Sequence, residues 1–450
     1  MHNIGEYTYD PDRFIFYKNS FETEVVEKIC NHLEKNSDYE ELKEKLENYD
    51  AHEVNIKAGA VSRAGVCLTN NCNLRCNYCS DTSSEGNKES LELEDVLTFV
   101  IDVMKRWTMT KFITGKEEPL SLYFTGGGEP TYNWSLFEKI IPTIKKKCKE
   151  NGIPLSLGIT TNGMLDDSQR EFIAEHFDTI MVSYDGLPEI QNKNRHSTLH
   201  SHTAEVVEKT IKFFSNNKPS LTIRTTIWQD DFEHMKDMAD YIFDKFGNSI
   251  EWSILPVIPT GRALKRIRTE QKNLREYNFL NFYLETIEYI KLKRGSLNIS
   301  TPIFPNSIIS LYCGAISIFC SCLWLLPNKT IVTCIESRDL KTTIGRIEKN
   351  KVEYFDKCSD HLLRVYQQKF SECRNCIAYR FCKGGCPARH LMNKNLKTEM
   401  DDWECSMIQK YWTYVFRHIL SGEKCFGWHV VPVEIDEIKD YNVLKLDRTE

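Results

Sequence analysis

Cysteine clustering is the feature that most restricts how this chain can fold. Ten of its 17 cysteines lie between residues 313 and 405, and three more form the sequence CNLRCNYC at residues 72–79. The chain has 450 residues, far more than the small secreted domains that depend on disulfides. Its first residues include acids and lack the apolar stretch of a secretory signal. Clustered cysteines in a reducing cytoplasm are more often metal ligands or catalytic groups than disulfides, so we expect a cytoplasmic protein that folds partly around metal.

Charge and hydropathy exclude other classes of protein. The net charge of −6 argues against a nucleic-acid partner that binds through a generally basic surface. No apolar run is long enough to span a bilayer, so we expect no membrane partner. The hydrophobic fraction of 41% is ordinary for a globular protein of more than one domain.

Short apolar runs alternate with longer amphipathic segments over residues 61–265. Strands that alternate with helices predict parallel βα units, in a barrel or an open sheet of the α/β class. Six units are too few for a complete eight-stranded barrel. The predicted strands are residues 66–68, 120–124, 155–159, 180–182, 221–225 and 252–255.

The first cysteine cluster has the spacing C-x3-C-x2-C and directly follows the first predicted strand. Functional groups of such folds collect at the carboxyl ends of the strands. A structural zinc site usually takes four ligands, whereas three cysteines leave one iron of a [4Fe–4S] cluster without a protein ligand. On spacing alone, a zinc loop or incidental cysteines remain alternatives.

This cluster, with Tyr78 before its last cysteine, resembles the cluster-binding motif of the radical SAM superfamily. The resemblance covers residues 62–260 and implies a partial, TIM-like (β/α)6 barrel. Glycine-rich segments are mostly turns when taken singly, but here they follow successive strands in the family's order. The further motifs are GGGEP at 126–130, TTNG at 160–163, SYDG at 183–186, Arg195, and GRA at 261–263.

The resemblance implies a [4Fe–4S] cluster held by Cys72, Cys76 and Cys79, with its open iron bound to S-adenosylmethionine (SAM). Glu129 suits the ammonium group of SAM, and Arg195 suits its carboxylate. An external electron donor, such as flavodoxin or ferredoxin, drives cleavage of SAM to a 5′-deoxyadenosyl radical that abstracts hydrogen from the substrate. The residues implied to contact SAM are Tyr78, Gly127, Gly128, Glu129, Asn162, Ser183, Asp185 and Arg195.

Seven cysteines in the C-terminal region resemble the SPASM extension of radical SAM enzymes, which carries up to two auxiliary clusters. With the SAM cluster they imply three [4Fe–4S] clusters in all. An eighth ligand could be Cys320, which we favour, or Cys322. The other possibility is that one iron of the inner cluster has no protein ligand. Zinc bound by the C-x2-C pairs, in an interaction module that is not an enzyme, is the alternative. The implied outer-cluster ligands are Cys373, Cys376, Cys382 and Cys405, and the inner-cluster ligands are Cys313, Cys320, Cys334 and Cys386.

The sequence divides into a core and flanking segments. We predict a small N-terminal unit at 1–60, the barrel at 61–265, a helical bridge at 266–305, the cysteine-rich iron–sulfur domain at 306–408, and a C-terminal helix with a tail at 409–450. The N-terminal unit is either a reduced leader-peptide-binding domain, which captures peptides by strand addition, or a cap on the barrel.

SPASM enzymes mostly modify peptides or proteins, so the resemblance implies a precursor peptide or protein as substrate. We expect a maturase that forms an intramolecular thioether, C–C or C–O crosslink. Sulfatase-maturing relatives carry an aspartate directly after the cysteine that corresponds to Cys334, but this chain has Ile335 and then Glu336, which argues against that activity. Protein oxidation of that kind and small-molecule oxidoreduction remain alternatives. The bond formed, the catalytic base and the oligomeric state are not encoded in recognisable motifs.

Overall fold

The computed structural model of the chain describes sixteen segments. They are residues 1–33, 61, 63–80, 88–114, 118–197, 202–217, 220–270, 278–295, 298–303, 322–332, 334–335, 343–355, 373–382, 400–426, 428–433 and 443–448. Cys313, Cys320, Cys386, Glu336 and residues 34–60 of the predicted N-terminal unit lie outside them.

The strands of the described segments are short, and most lie in residues 63–354. They are β1 His2–Ile4, β2 Tyr7–Asp10, β3 Ile15–Lys18, β4 Arg63–Val66, β5 Leu120–Phe124, β6 Leu155–Thr161, β7 Thr179–Ser183, β8 Ser220–Ile227, β9 Glu251–Pro256, β10 Ile299–Ser300, β11 Cys322–Leu325, β12 Thr330–Val332, β13 Thr343–Glu348, β14 Lys351–Tyr354, β15 Trp428–Val433 and β16 Val443–Arg448.

At least one helix follows each of the barrel strands, and further helices lie before and after the barrel. They are α1 Thr23–His32, α2 Leu93–Thr114, α3 Trp134–Glu150, α4 Asp167–His176, α5 Pro188–Asn194, α6 Thr203–Ser215, α7 Met235–Phe246, α8 Gly261–Thr269, α9 Phe279–Arg294, α10 Tyr379–Cys382 and α11 Met400–Leu420, with 3-10 turns at Gln229–His234 and Cys373–Asn375.

Strands β4 to β9 are parallel and pair in sequence order, as the alternation of strands and helices predicts. The helices pack on this sheet through apolar stripes at helical spacing. In α3 the stripe consists of Phe137, Ile140, Ile141, Ile144 and Cys148, all buried. The predicted α/β fold with six parallel βα units is therefore confirmed.

The barrel sheet extends past β4 into the cysteine-rich region. Strand β11 pairs parallel to β4, and β12 to β14 continue the sheet in antiparallel order. Trp324 of β11 covers Gly65 of β4, where a Cβ atom would lie 2.0 Å from the indole ring. This close packing explains a glycine inside the first strand, which begins three residues before its predicted position.

A second sheet joins the two ends of the described chain, in the order β1-β2-β3-β16-β15. Strand β16 pairs antiparallel with β3, at Leu444 opposite Phe16 and Lys445 opposite Ile15. The sequence predicts a small N-terminal unit and a C-terminal helix with a tail, but not that strands from the two ends form one sheet.

The second sheet packs on helix α11 and on helix α10 of the cysteine-rich segment. Phe381 stacks on Trp412 with ring centroids 3.5 Å apart, and Tyr9 lies 4.5 Å from Phe416. Buried Arg380 donates hydrogen bonds to the carbonyl of Pro11. Residues 1–18 thus contact the cysteine-rich segment directly. None of the described helices is long and apolar enough to cross a bilayer.

Candidate active site

A cavity of about 330 Å³ opens at the carboxyl ends of the barrel strands. Its far wall, at the end of β9, is apolar and is formed by Leu255, Pro256, Val257 and Ile258. Residues from the ends of six strands meet here, although 123 positions separate Cys72 from Arg195. The residues implied by the sequence that line it are Cys72, Cys76, Tyr78, Cys79, Gly127, Gly128, Glu129, Asn162, Ser183 and Arg195.

The three cysteines of the first cluster form no disulfide, and all of them line this cavity. Burial, reinforced by the charges of neighbouring groups, raises the pKa of Cys72 to about 12, and burial raises the pKa of Cys76 to about 11. Thiols with raised pKa values stay protonated at neutral pH unless a cation replaces the proton. The site therefore suits a positively charged centre that binds thiolates.

The donor set fits an iron–sulfur cluster better than a single ion. Within the described residues, no group of three or more His, Cys, Asp or Glu side chains converges closely enough to hold one metal ion. Three thiols spaced around the mouth of one cavity match a cluster, whose iron atoms occupy separate corners. Polar residues of the same cavity, among them Glu129 and Arg195, would be available to bind a ligand beside the cluster.

Backbone contacts fix the cluster loop, residues 72–79, on two sides. The backbone N–H and side-chain amide of Asn77 donate to the carbonyl and Oδ1 of Asn194, both at 3.0 Å. On the other side, Arg262 donates from Nη1 to the carbonyl of Cys76 at 2.9 Å and from its backbone N–H to that of Cys79. The GRA segment at residues 261–263 thus contacts the cluster loop.

Glycine is required where the GGGEP segment passes the cluster loop. Gly126 and Gly127 have φ of 75° and 68°, in the left-handed region. A Cβ atom on Gly128 would lie 1.8 Å from the carbonyl oxygen of Asn71. Any side chain at position 128 would displace the residue that precedes Cys72.

Glu129 is a buried carboxylate that joins two strand-end loops. Its Oε1 accepts from the hydroxyls of Thr131 and Thr161 at 2.9 and 2.8 Å, and its Oε2 accepts from the backbone N–H of Asn162 at 2.8 Å. Burial raises the pKa of Glu129, and these hydrogen bonds oppose that rise. A carboxylate has about four acceptor positions, so Oε2 keeps one for a ligand.

We expect Glu129→Gln to weaken SAM binding about tenfold, because a neutral acceptor replaces a charge-assisted one. Thermal stability without ligand should stay near wild type, since the amide can accept from Asn162 and donate to the threonine hydroxyls. Glu129→Ala should lower stability as well, because it leaves buried donors unpaired. Equilibrium binding and thermal melts of both variants check this; equal SAM affinity in Glu129→Gln and wild type would show that Glu129 only joins the loops.

Asp185 is fully buried and is not among the residues that line the cavity, so its expected contact with SAM stays a prediction. Its Oδ2 accepts from the Tyr78 hydroxyl at 2.5 Å, and its Oδ1 accepts from Arg195 Nε at 3.0 Å. Although burial alone lowers the pKa of Arg195, Asp185 and Tyr78 raise it above its ordinary value, so the guanidinium stays charged. Asp185 thus holds two residues that line the cavity.

The structure brings together the four cysteines implied to hold the outer cluster. Burial raises the pKa of Cys382, and the nearby charges of Cys373, Cys405 and Cys376 raise it further. Cys376 lies one turn after Cys373 and donates its backbone N–H to that residue's carbonyl at 2.8 Å. Cys405 comes from α11, so the group joins two elements that are distant in sequence.

Only part of the implied inner-cluster set lies in the described residues. Cys334 is half-buried, and Cys322 begins β11 beside Arg63 of β4. Burial raises the pKa of Cys322 to about 12. Whether Cys320 or Cys322 is the eighth ligand stays an open prediction.

Ile335 contacts the cavity loop, which is the glycine-rich segment at residues 126–130. A Cβ atom on Gly126 would lie 2.2 Å from Ile335 Cδ1, so the two residues touch. The residue after Cys334 therefore reaches the cavity loop with an apolar side chain.

Sequence reasoning missed several residues that shape the site. Trp228 donates from its indole N–H to Oδ1 of Asn77 at 2.9 Å, and Thr131 and Thr161 bind Glu129. Thr161 lies within the TTNG motif and Thr131 directly follows the GGGEP motif, which was an available signal. Asn194 and Trp228 belong to none of the motifs. They support the cluster loop through contacts across the barrel, which the sequence does not reveal.

Comparison with known proteins agrees with this geometry. Residues 66–242 match the model of the radical SAM superfamily. The cysteine-type anaerobic sulfatase-maturating enzyme of Clostridium perfringens is 21% identical over 360 residues, which cover 78% of this chain and 95% of the relative. The corresponding enzyme of Clostridium novyi is 24% identical over 334 residues, or 71% of this chain and 85% of the relative.

Two solved structures share the fold. Native anSMEcpe with bound AdoMet and Cp18Cys peptide has a TM-score of 0.56 and 20% identity, and covers 80% of this chain and 98% of that one. Streptococcus suis SuiB bound to precursor peptide SuiA has a TM-score of 0.52 and 18% identity, and covers 75% and 74%. With the cavity geometry and the family match over the cysteine loop and the strand-end motifs, these findings identify residues 66–242 as a radical SAM domain, in a chain homologous to the anaerobic sulfatase-maturating enzymes.

Proposed function

We propose that the chain is a peptide maturase that forms an oxidative crosslink within a ribosomally made precursor peptide. The observation that carries the proposal is the pairing of the SAM cavity with a second group of four cysteines at Cys373–Cys382 and Cys405. A second cluster offers a place for the second electron of a two-electron oxidation. The similarity to anSMEcpe and SuiB, whose structures contain bound peptides, supports a peptide as substrate.

Different residues of the cavity would bind the cluster and bind SAM. Cys72, Cys76 and Cys79 would hold the cluster, while Glu129 and Arg195 offer opposite charges to the ammonium and carboxylate of SAM. The bound cluster and SAM supply a 5′-deoxyadenosyl radical that removes a hydrogen atom from the substrate. The apolar wall at Leu255–Ile258 suits the adenine base and excludes water from it.

Ile335 separates the proposed reaction from formylglycine chemistry. In the sulfatase-maturing relatives, an aspartate at this position is implied to be the catalytic base. Ile335 has no titratable group, yet it touches Gly126 at the cavity loop. We infer that the substrate radical is consumed by bond formation within the peptide instead of by deprotonation from this position.

Co-expression with a candidate precursor peptide tests the proposal. Mass spectrometry should show a loss of two hydrogens per crosslink, and tandem spectra should show fragments joined across it. A sulfatase-type peptide serves as the comparison, since its conversion to an aldehyde would support the sulfatase-maturase alternative instead. Cleavage of SAM without change in any peptide would favour a small-molecule substrate.

The second cysteine group yields a separate prediction about iron. If three [4Fe–4S] clusters are present, the anaerobically reconstituted protein carries about twelve irons, and Cys373→Ala with Cys376→Ala should remove about four. SAM cleavage should persist, because other residues form the cavity. Cys30→Ala, which changes a cysteine of α1, is the control. Unchanged iron in the double variant would refute the outer-cluster assignment.

A further inference from the structure

Two aromatic side chains lie in one row across the barrel sheet. Trp324 of β11 pairs with Gly65 of β4. Gly65 in turn pairs with Tyr123 of β5, which pairs with Gly158 of β6. Residues that are paired in register point to the same face of a sheet. Ring and glycine therefore alternate along one row, and none of these four residues carries a charge.

Each ring lies over the glycine of the next strand. A Cβ atom on Gly65 would lie 2.0 Å from the ring of Trp324, and a Cβ atom on Gly158 would lie 2.4 Å from the ring of Tyr123. Neither glycine has a φ in the left-handed region, so neither is needed for its backbone conformation. A glycine inside a strand often marks a place where another group approaches closely. The two glycines thus let Tyr123 and Trp324, which we call the aromatic floor, lie close against the sheet.

The aromatic floor lies on the inner face of the barrel. On β5, the neighbouring residue Phe124 packs on Phe137 of α3 with ring centroids 5.8 Å apart, so Tyr123 points away from the helices. Tyr123 is 37% exposed, whereas Leu122 and Phe124 are fully buried. Strands of a parallel sheet are usually buried on both faces, so an exposed ring within one indicates a surface that a ligand can cover.

The aromatic floor adjoins the SAM cavity. Thr125 stands two residues after Tyr123, and Thr160 stands two residues after Gly158. Residues two apart lie on the same face of a strand, and both threonines line the SAM cavity. Two residues of a strand span about 7 Å, so a group bound on the floor lies one layer of side chains from the SAM site.

Trp324 connects the other end of the floor to the cavity loop. Trp324 and Ile335 pack on the same cluster of buried residues, and Ile335 contacts Gly126. The position at which the sulfatase-maturing relatives are implied to carry a base is thus apolar and lies near the floor. This wall offers a substrate apolar surface instead of a carboxylate.

We propose that the aromatic floor binds an aromatic side chain of the peptide beside the SAM cavity. The inference rests on the proposed function, because it takes a peptide as the substrate. Aromatic rings pair with other rings in stacked or edge-to-face arrangements, which a floor of two rings makes available. An uncharged floor of this kind gives a small polar side chain little contact. The floor therefore favours tryptophan, tyrosine or phenylalanine at the position of the peptide that enters the barrel.

Binding of two capped tripeptides to the reconstituted, SAM-loaded and unreduced protein tests the floor without turnover. In equilibrium dialysis, acetyl-Gly-Trp-Gly-amide should bind at least about fivefold more tightly than acetyl-Gly-Leu-Gly-amide. Tyr123→Leu with Trp324→Leu should abolish this preference, whereas Tyr123→Phe with Trp324→Phe keeps both rings and should retain it. The control is Phe112→Leu, which removes a ring that is 90% exposed on α2 and should leave the preference unchanged. Equal binding of the two peptides by wild type, or a preference that persists in the double leucine variant, would overturn the proposal.

SAM affinity and turnover separate this proposal from damage to the barrel and from the proposed function. The double leucine variant should bind SAM as wild type does, because neither ring is among the residues that line the SAM cavity. If it loses SAM affinity, the single variants Tyr123→Leu and Trp324→Leu decide instead, and a full preference for the tryptophan peptide in both would overturn the proposal. If wild type reduced with dithionite modifies no peptide, the proposed function fails, while the tripeptide preference still decides the aromatic floor.

Discussion

Replacing Cys72, Cys76 and Cys79 together with alanine should reduce 5′-deoxyadenosine formation to below detection. Among the described residues, these three cysteines are the ones that line the SAM cavity, so the triple variant lacks the thiolates that would bind iron there. The loop itself should stay in place, because Asn77, Asn194 and Arg262 hold its backbone through contacts that do not involve sulfur. Chromatographic detection of 5′-deoxyadenosine after reduction with dithionite measures the effect.

The control for this experiment is Cys148→Ala, which removes a buried thiol of α3 that lies outside the cavity. It should leave SAM cleavage near the wild-type rate, with at most a modest loss of stability. Iron analysis adds a second measurement: the triple variant should lose about four irons and keep those of the later cysteines. SAM cleavage at the wild-type rate in the triple variant would refute the assignment of the cluster.

The barrel was predictable because its signals are local. Each of the six strands is a short apolar run, and each helix between them carries a stripe at helical spacing, so the order of elements follows from periodicity alone. The motifs at strand ends were predictable for the same reason: parallel strands bring their carboxyl ends to one edge, wherever they lie in sequence.

The second sheet was not predictable, because its strands are stabilised by partners far away in sequence. Strand β3 at Ile15–Lys18 pairs with β16 at Val443–Arg448, and neither is long enough to show a clear alternation. The edge of β3 is thus covered by the chain's own last described strand. A peptide that adds to this sheet has to pair at β1 or β15, which bears on the predicted leader-binding role of the N-terminal unit.

The position of Asp185 shows a different limit of sequence reasoning. A motif indicates which residues stand near a ligand, but not whether a side chain faces the ligand or a neighbour. Asp185 follows β7 at the correct edge, and the contacts that the structure shows for its carboxylate include those with Tyr78 and Arg195. These contacts depend on the packing of α5 and the cluster loop, because Arg195 ends α5 and Tyr78 belongs to the loop.

The Asp185→Asn substitution should lower the free energy of unfolding by about 3–5 kcal/mol, because it leaves the Arg195 guanidinium buried without a counter-charge. SAM binding should weaken too, since both Tyr78 and Arg195 line the cavity. Tyr78→Phe removes only the hydroxyl that donates to Asp185, so it should cost about 1–3 kcal/mol.

Urea unfolding and equilibrium SAM binding of the two single variants and the double variant separate positioning from simple stabilisation. If Asp185 acts through Tyr78, the double variant should bind SAM about as well as Asp185→Asn alone, because the shared hydrogen bond is lost only once. Asp166→Asn, which changes an exposed capping carboxylate of α4, is the matched control and should leave SAM binding unchanged. Fully additive losses of SAM affinity, or wild-type affinity in Asp185→Asn, would show that the Tyr78–Asp185 contact does not position the ligand.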